Sequence, residues 1–216
     1  MTRPSTRNLA ALPGPVALER LCMSLAMLDA IVCPDWESRY YSFNKDWDKA
    51  KGNRMGSMRN GSGDEFYVLF TASGVALKGY AHEYPMAKWG TPPEGVLSGF
   101  PTSIEDFLSE PAFAMDCTTF CVWHLPGKDW EIGPVAFADH DDPDGSVFLL
   151  ELLDGSSNSY QRFARNYYET EIPIQAIEDI YSHKPLTTEI IASINNEASI
   201  TELADDIAQI GYPRLK

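Results

Sequence analysis

The sequence predicts an α+β fold in which an N-terminal helix packs on a mainly antiparallel sheet of hairpins, followed by a helical C-terminal lobe. Three observations lead to this prediction. Apolar residues recur at helical spacing over residues 15–32, strand–turn–strand patterns occupy residues 60–83 and 118–137, and short amphipathic patterns follow residue 146. Tight turns between the clearest strands favour an antiparallel sheet, of about five strands, over a parallel one.

The length and composition set the domain organisation. With 216 residues, 44% of them hydrophobic, the chain can bury a sizeable core. We expect a single domain over residues 1–216, with a helix-and-sheet portion at 1–145 and an acidic helical lobe at 146–216.

The first helix is predicted to begin at Pro15, a residue that suits a first helical turn, and to end before Pro34. Residues 1–13 carry two prolines and predict a loose arm. After the helix, the aromatic-rich stretch 36–43 predicts a strand with a role in the sheet core. Residues 46–59 are polar and glycine-containing, and they predict a loop.

The first predicted hairpin starts at a Gly-Ser-Gly turn and pairs Phe70 with Val75. A slip of one residue would turn its apolar side chains to solvent, so this register is strongly preferred. On the opposite face Lys78 lies diagonal to Glu65, within reach of a cross-strand ion pair. His82 is diagonal to Glu65 as well. We interpret it as a half-exposed residue on a polar sheet face, since no nucleophile accompanies it.

The second predicted hairpin turns at residues 126–129, where a Pro-Gly pair favours a tight turn. The register set by this turn places His124 opposite Glu131, and Trp123 opposite Ile132. The His and Glu side chains are therefore predicted to form a structural cross-strand pair.

Five amphipathic helical patterns follow, beginning near residues 146, 157, 173, 186 and 199. Ser199 and Glu202 have the spacing of a capping box for the last helix, and Gly211 ends that helix. Short helices of this kind bury their apolar stripes only against one another or against the sheet.

The formal net charge of −14 is unevenly distributed. Residues 1–108 hold 12 acidic and 11 basic side chains, a net charge of −1, whereas residues 109–216 hold 19 and 6, a net charge of −13. Such an excess repels nucleic acid and anionic lipid and attracts a basic partner. A merely solvated acidic surface is the alternative. The sequence leaves the oligomeric state open.

The sequence also predicts the cellular setting. It contains no run of about 18 apolar residues, which argues against a membrane span, and the prolines at 13 and 15 interrupt any signal-peptide core. The four cysteines are therefore expected to be reduced thiols, and the protein to be cytoplasmic. Cys117 and Cys121 are predicted to be small buried hydrophobes rather than a metal pair.

The acidic run at 139–145 partly matches a calcium-binding loop. With His140 at the first loop position, Asp142, Asp144 and Glu151 fall at liganding positions. His140 is a poor ligand for a hard cation, and Pro143 stiffens the loop. We expect no metal there, and keep a calcium-binding protein that uses Asp142, Asp144 and Glu151 as the alternative function.

No motif in the chain fixes a reaction. Hydrolase triads, phosphate loops, dinucleotide fingerprints and zinc spacings are all absent from the sequence. We therefore predict no catalytic or cofactor-binding residues and no cofactor, and we favour a non-enzymatic protein. A catalytic site assembled in space from dispersed residues stays open.

Residues 60–108 resemble the SUKH-type immunity proteins of bacterial toxin systems. The resemblance rests on a Gly-Ser-Gly-Asp turn at 61–64, two hairpin strands joined at Gly74 and ending at His82, and a later helix at 104–108. It implies an α+β immunity fold that binds and neutralises a toxin, with no catalytic residues.

The function predicted from these observations is that of a soluble binding protein, of the immunity kind, for a basic partner such as a nuclease toxin. Its acidic surface would select the partner and its exposed aromatic residues would anchor it. The candidate partner-binding residues are Glu65, Tyr80, His82, Asp141 and Asp142.

Overall fold

The computed structural model describes residues 3–215 and contains a six-stranded antiparallel sheet in which every strand pairs with the next one along the chain. The strands are β1 (Tyr41–Asp48), β2 (Asn53–Arg59), β3 (Glu65–Phe70), β4 (Val75–Tyr80), β5 (Phe120–His124) and β6 (Trp130–Ile132). The α+β fold class and the antiparallel sheet are confirmed, with six strands instead of about five.

The helices precede and follow the sheet in sequence. They are α1 (Pro15–Val32), α2 (Ser146–Leu149), α3 (Ser157–Tyr167), α4 (Ile174–Tyr181), α5 (Thr188–Ile194) and α6 (Ala204–Ile210). Short 3₁₀ turns lie at Leu9–Ala11, Trp36–Ser38, Thr102–Ser109, Pro111–Phe113 and Glu151–Asp154. The predicted bounds of α1 are confirmed. Among residues 3–215, no helix has both the length and the apolar character needed to cross a lipid bilayer.

Helix α1 lies between the sheet and the C-terminal helices, and this central position explains why nearly all of its side chains after Leu21 are buried. Its close approach to the sheet depends on Gly56 in β2. A Cβ added at Gly56 would lie 3.2 Å from the Cβ of Cys22 and 3.1 Å from Cγ1 of Val68. The apolar core around α1 includes residues from both predicted portions of the chain, from Leu12 to Tyr212.

The predicted loop at 46–59 is wrong over most of its length. Its residues complete β1 and form β2, which are joined by a short turn at Gly52. The glycine and serine residues that suggested a loop have other roles in the structure. Gly56 makes room for α1, and the hydroxyls of Ser42 and Ser57 pair across the two strands at 2.7 Å.

The prediction that the second face of the sheet is polar is also wrong. Residues 96–115 fold back over it and form a second apolar cluster. Its buried members are Met55, Leu69, Ala76, Val96, Ile104, Phe107, Phe113, Cys121 and Trp123. The sheet is therefore covered on both faces, because the segment between β4 and β5 supplies apolar side chains despite its irregular backbone.

The first hairpin has the predicted register, with Phe70 opposite Val75. The second is displaced by one residue. His124 lies opposite Trp130, and Trp123 lies opposite Glu131. Leu125 belongs to the turn, since its carbonyl accepts a hydrogen bond from Lys128 N at 3.0 Å. The predicted His–Glu pair is thus replaced by a bond from the Trp123 indole to Glu131 at 3.2 Å.

The N-terminal arm is docked rather than loose. Thr6 donates its hydroxyl to Asp144 Oδ2 at 2.6 Å and its backbone N–H to Ser146 Oγ at 3.1 Å. Farther along, the carbonyl of Pro13 accepts a hydrogen bond from the Trp130 indole at 3.0 Å. These bonds were not predicted because their partners lie more than 100 residues away in sequence.

Candidate functional site

One end of the sheet gathers most of the exposed large apolar side chains. Because the sheet is antiparallel, β1 and β3 begin at this end, and β2 and β4 finish there. Within residues 3–215 six large hydrophobic side chains are exposed, and four of them lie at or beside this end of the sheet. These four are Trp36, Trp89, Phe148 and Tyr167.

Trp36 and Tyr167 lie beside the beginning of β1. Trp36 is 49% exposed, and its ring lies 4.8 Å from the guanidinium carbon of Arg59 at the end of β2. Tyr167 is the last residue of α3, and its ring centroid lies 4.9 Å from that of Tyr40. Tyr40 precedes β1, so the helical lobe and the sheet meet here through edge-to-face aromatic contacts.

Trp89 and Phe148 lie beside the end of β4. The ring of Trp89, 80% exposed, has its centroid 6.4 Å from that of Tyr80, the last residue of β4. Phe148 stacks on Tyr84 with a centroid distance of 5.9 Å. The loop that carries Trp89 is joined to the loop before α2 by a hydrogen bond from Met86 N to the carbonyl of Pro143 at 2.9 Å.

We call this region the sheet-end surface. It comprises the aromatic residues Trp36, Tyr40, Tyr84, Trp89, Phe148 and Tyr167 with the carboxylates Asp64, Glu83, Asp141 and Asp142. Asp64 lies near both sides, since its negative charge acts on a tyrosine of each side. Burial is the main cause that raises the pKa of Tyr40, and the negative charge of Asp64 is the second. That charge also raises the pKa of Tyr84, after burial and Asp142.

His82 is held at the sheet-end surface by Asp64. The Asp64 carboxylate accepts the backbone N–H of His82 at 2.9 Å and lies 2.8 Å from Nδ1 of the same residue. Asn60 donates its side-chain amide to the other oxygen of Asp64. His82 was predicted to lie near Glu65 and instead contacts Asp64, the residue before Glu65. The reason is that His82 lies beyond Tyr80, the last residue of β4 that pairs with β3.

Glu65 forms the predicted cross-strand ion pair with Lys78, whose Nζ lies 2.8 Å from Glu65 Oε1. Lys78 is fully buried, and it also donates to the carbonyl of Cys117 at 2.8 Å. The ring of Tyr67 lies 5.4 Å from Nζ. The Glu65 carboxylate is thus occupied by internal donors, including the Tyr67 hydroxyl at 3.2 Å.

The other predicted partner-binding residues differ in their exposure. Tyr80 is buried and supports Trp89, whereas Asp141 is exposed. Asp142 is half-buried, and its two oxygens accept the backbone N–H groups of Val147 and Phe148 at 3.1 Å each. Burial raises the pKa of Asp142, and these two hydrogen bonds oppose that shift. Asp142 therefore fixes the position of Phe148 on the surface.

The three carboxylates considered for calcium have partners within the protein. Asp144 is almost completely buried and accepts hydrogen bonds from the Thr6 hydroxyl and Ser146 N. Glu151 lies 3.7 Å from a guanidinium nitrogen of Arg3, and Asp142 accepts the two backbone N–H groups of α2 named above. In residues 3–215 no group of three or more His, Cys, Asp or Glu side chains is placed to hold a metal ion.

The four cysteines are unpaired, and three of them are buried. Cys121 is packed in the second apolar cluster, and burial strongly raises its pKa. Cys117 is also buried and contributes its backbone carbonyl to the Lys78 contact.

The fold and this surface define an α+β protein with an aromatic and acidic patch at one end of its sheet. Comparisons of the chain with protein-family models, with curated proteins and with solved structures find no match. The resemblance of residues 60–108 to the SUKH-type immunity proteins therefore stays a prediction.

The candidates predicted from sequence include two of the four carboxylates of this surface, Asp141 and Asp142, and none of its six aromatic residues. Trp89 lies in a segment with prolines at 85, 92 and 93 and a glycine at 90, a composition that favours an exposed loop. A tryptophan in such a loop is a sequence signal for a binding residue. Tyr167 and Phe148 carry no such signal, since their exposure depends on how the helical lobe packs.

Proposed function

We propose that this chain is a non-enzymatic binding protein that meets a partner protein through the sheet-end surface. The observation that carries the proposal is the clustering of four exposed large apolar side chains at one end of the sheet, within a rim of carboxylates. Aromatic side chains that lie in a polar rim are typical of the energetic centres of protein interfaces.

The charge of the surface supports a basic partner. Glu83, Asp139 and Asp141 are exposed in the segments that carry Tyr84 and Phe148, where they outnumber the basic side chains of Lys88 and of Arg7, which contacts the carbonyl of His140. Electrostatic complementarity of this kind speeds association and selects against acidic partners. Together with the resemblance of residues 60–108, it supports an immunity protein that neutralises a basic toxin such as a nuclease.

We further propose that the protein works in a reducing compartment, the bacterial cytoplasm. The support is the presence of four unpaired cysteines, three of them in the protein interior. A toxin that attacks intracellular nucleic acid would be neutralised in that compartment.

The proposal is tested by measuring binding to the product of the adjacent gene, the position expected for a cognate toxin, by titration calorimetry. Trp89→Ala should weaken binding by about 2 kcal/mol, or roughly 30-fold, as expected of an interface anchor. Val16→Ala is the matched control, because Val16 is 75% exposed on the first turn of α1, away from this end of the sheet. It should leave the affinity unchanged.

Raising the salt concentration should weaken the complex, because exposed carboxylates contribute to it. No binding to the adjacent gene product, or equal losses in Trp89→Ala and Val16→Ala, would refute the proposal. A complex that is insensitive to salt would refute its electrostatic part.

A further inference from the structure

A second feature lies on the helical lobe, a cleft of about 930 Å³ between the end of α1, the end of α5 and the start of α6. Its volume is within the range of about 300–1,000 Å³ that is usual for ligand sites. Arg39 and Thr170 line it. Each is close in sequence to an aromatic residue of the sheet-end surface, so the cleft opens beside that surface.

The floor of the cleft is apolar and well fixed. Ala30, Ile194 and Leu203 line it and are buried. The side chain of Asn195 donates to the carbonyl of Ile31 at 2.9 Å, which ties the α5–α6 connection to α1. The cleft is therefore formed before any ligand arrives.

The one guanidinium in the cleft is already occupied. Arg39 donates to both carboxylate oxygens of Asp206, at 3.1 Å for the Nη2–Oδ2 contact, and to the carbonyls of Cys33 and Pro34. Its side chain is largely buried. Four of its five N–H donors are therefore used within the protein, and Asp206 is correspondingly neutralised.

The remaining charge in the cleft is negative. Glu197 and Glu202 line it as well, and Glu197 is exposed. Glu202 uses one carboxylate oxygen to accept from the backbone and hydroxyl of Ser199, which leaves its other oxygen for a ligand. The last turns of α1 and α5 line the cleft with the negative ends of their helix dipoles, and the first turn of α6 opposes them with one positive end.

We propose that this cleft binds a lysine- or arginine-containing segment of the partner protein. The long apolar stem of such a side chain fits the floor made by Ala30, Ile194 and Leu203, and its cationic head reaches Glu197 and Glu202. The inference rests on the proposed function, because it names the part of a basic partner that enters a second contact beside the sheet-end surface.

The experiment uses a fluorescein-labelled peptide of six lysines and the full-length protein, with binding followed by fluorescence anisotropy at low and at physiological salt. Glu197→Gln with Glu202→Gln should weaken binding, by about tenfold for each charge-assisted contact that is lost. Glu178→Gln with Glu189→Gln is the matched control, since it removes the same charge from exposed positions outside the cleft. The control pair should change binding by less than twofold.

A steric variant separates the cleft from general attraction to an acidic protein. Ala192→Trp fills the cleft from the exposed last turn of α5 and leaves the charge unchanged. It should abolish peptide binding while the thermal unfolding curve stays near that of the wild type.

Equal losses in the two carboxylate pairs, no effect of Ala192→Trp, or no binding of the peptide at low salt would overturn the cleft inference. The proposed function is tested separately, by binding of the partner protein. Trp89→Ala should weaken that binding and should not affect binding of the short peptide. If the partner protein still binds through Trp89 while the peptide does not bind, only the cleft inference is overturned.

Discussion

The carboxylate of Asp29 provides the sharpest test of how this fold is held together. Asp29 lies in α1 and is fully buried. Its Oδ2 accepts the backbone N–H groups of Tyr40 at 3.0 Å and Tyr41 at 2.7 Å, and the hydroxyl of Tyr168 at 2.7 Å. Its Oδ1 accepts the hydroxyl of Tyr160 at 2.7 Å. One side chain therefore joins α1, the start of β1 and α3, which it contacts near both of its ends.

The expected cost of removing this carboxylate follows from counting the donors it satisfies. In Asp29→Ala, Tyr40 N–H keeps the Tyr168 hydroxyl as an acceptor at 3.1 Å, whereas Tyr41 N–H and both tyrosine hydroxyls lose theirs. A buried donor without a partner costs about 1–3 kcal/mol, and water entering the cavity relieves part of that cost. We expect Asp29→Ala to lower the free energy of unfolding by about 4 kcal/mol, a large fraction of the stability of an ordinary domain.

Asp29→Asn should lower the free energy of unfolding by less than Asp29→Ala does, and its pH dependence should reveal the ionisation of the Asp29 carboxyl group. The amide oxygen can take the Oδ2 position with its three donors, and the amide nitrogen can donate to Tyr160, whose hydroxyl can rotate to accept. Burial raises the pKa of Asp29 from its ordinary 3.8 to about 6, against the opposing effect of its hydrogen bonds. The folded protein then holds this proton more tightly than the unfolded chain does.

The sign of the pH dependence follows from that difference. As pH rises from 3.8 towards about 6, the unfolded chain releases the proton first, so the contribution of Asp29 to stability falls and is constant above that range. The total change is about 3 kcal/mol, of which about 2 kcal/mol falls between about pH 4.5 and pH 7.5. The stability gap between wild type and Asp29→Asn should therefore shrink by about 2 kcal/mol over this interval.

The assay is urea unfolding followed by tryptophan fluorescence at several pH values. Val16→Ala is the control, since Val16 is exposed and neither side chain titrates, so its stability gap should not vary with pH. A gap for Asp29→Asn that widens as pH rises would show that the hydrogen bonds outweigh burial and would refute the argument. A cost below about 1 kcal/mol for Asp29→Ala would refute the structural role, because even one unsatisfied buried donor exceeds it.

Two further predictions concern the sheet. Gly79→Ala should lower the unfolding free energy by about 1–3 kcal/mol, because the new Cβ would lie 2.3 Å from the ring of Phe120; Gly14→Ala, where nothing lies within 4 Å of the new atom, should change it by less than about 0.5 kcal/mol in the same urea assay. Lys78→Met should cost about 3 kcal/mol, because it keeps the buried stem but leaves Glu65 without its cation. Equal unfolding midpoints for Lys78→Met and the wild type would show that the ion pair contributes nothing.

The sequence predicted correctly those elements whose residue pattern lies within one continuous stretch of the chain. Helix α1 combines a proline in its first turn with a continuous helical spacing of apolar residues, and its bounds are confirmed. The β3–β4 hairpin has alternating apolar residues on both sides of a glycine turn, and its register is confirmed. In both cases neighbouring residues alone determine the structure.

The elements that sequence missed depend on contacts across the fold. Strand β2 contains Gly56, which signals a loop when seen alone, but its lack of a side chain is what lets α1 pack on the sheet. The register of the second hairpin depends on whether Leu125 extends the strand or joins the turn, and its packing on the second apolar cluster favours the turn. Neither contact is visible from local spacing.

The candidate site shows the same division. The sequence makes Asp141 and Asp142 candidates because they lie in one acidic run, and it predicts the Lys78–Glu65 pair because hairpin register fixes it. The aromatic residues of the sheet-end surface come from four separate segments of the chain. Only the strand order, which places the start of β1 and the end of β4 at one end, brings them together.

The position of Asp29 connects the stability of the fold with the proposed binding surface. Two of its donors are Tyr40, which immediately precedes β1, and Tyr168, which immediately follows α3. The exposed ring of Tyr167, the residue before Tyr168, packs against the ring of Tyr40. Burying a carboxylate costs free energy, and here that cost is partly offset by four hydrogen bonds that fix the surrounding tyrosines. A surface whose anchors are already fixed loses little side-chain entropy when a partner binds. The buried network therefore serves the surface as well as the core, because without it the helical lobe and the sheet would not present their aromatic rings side by side.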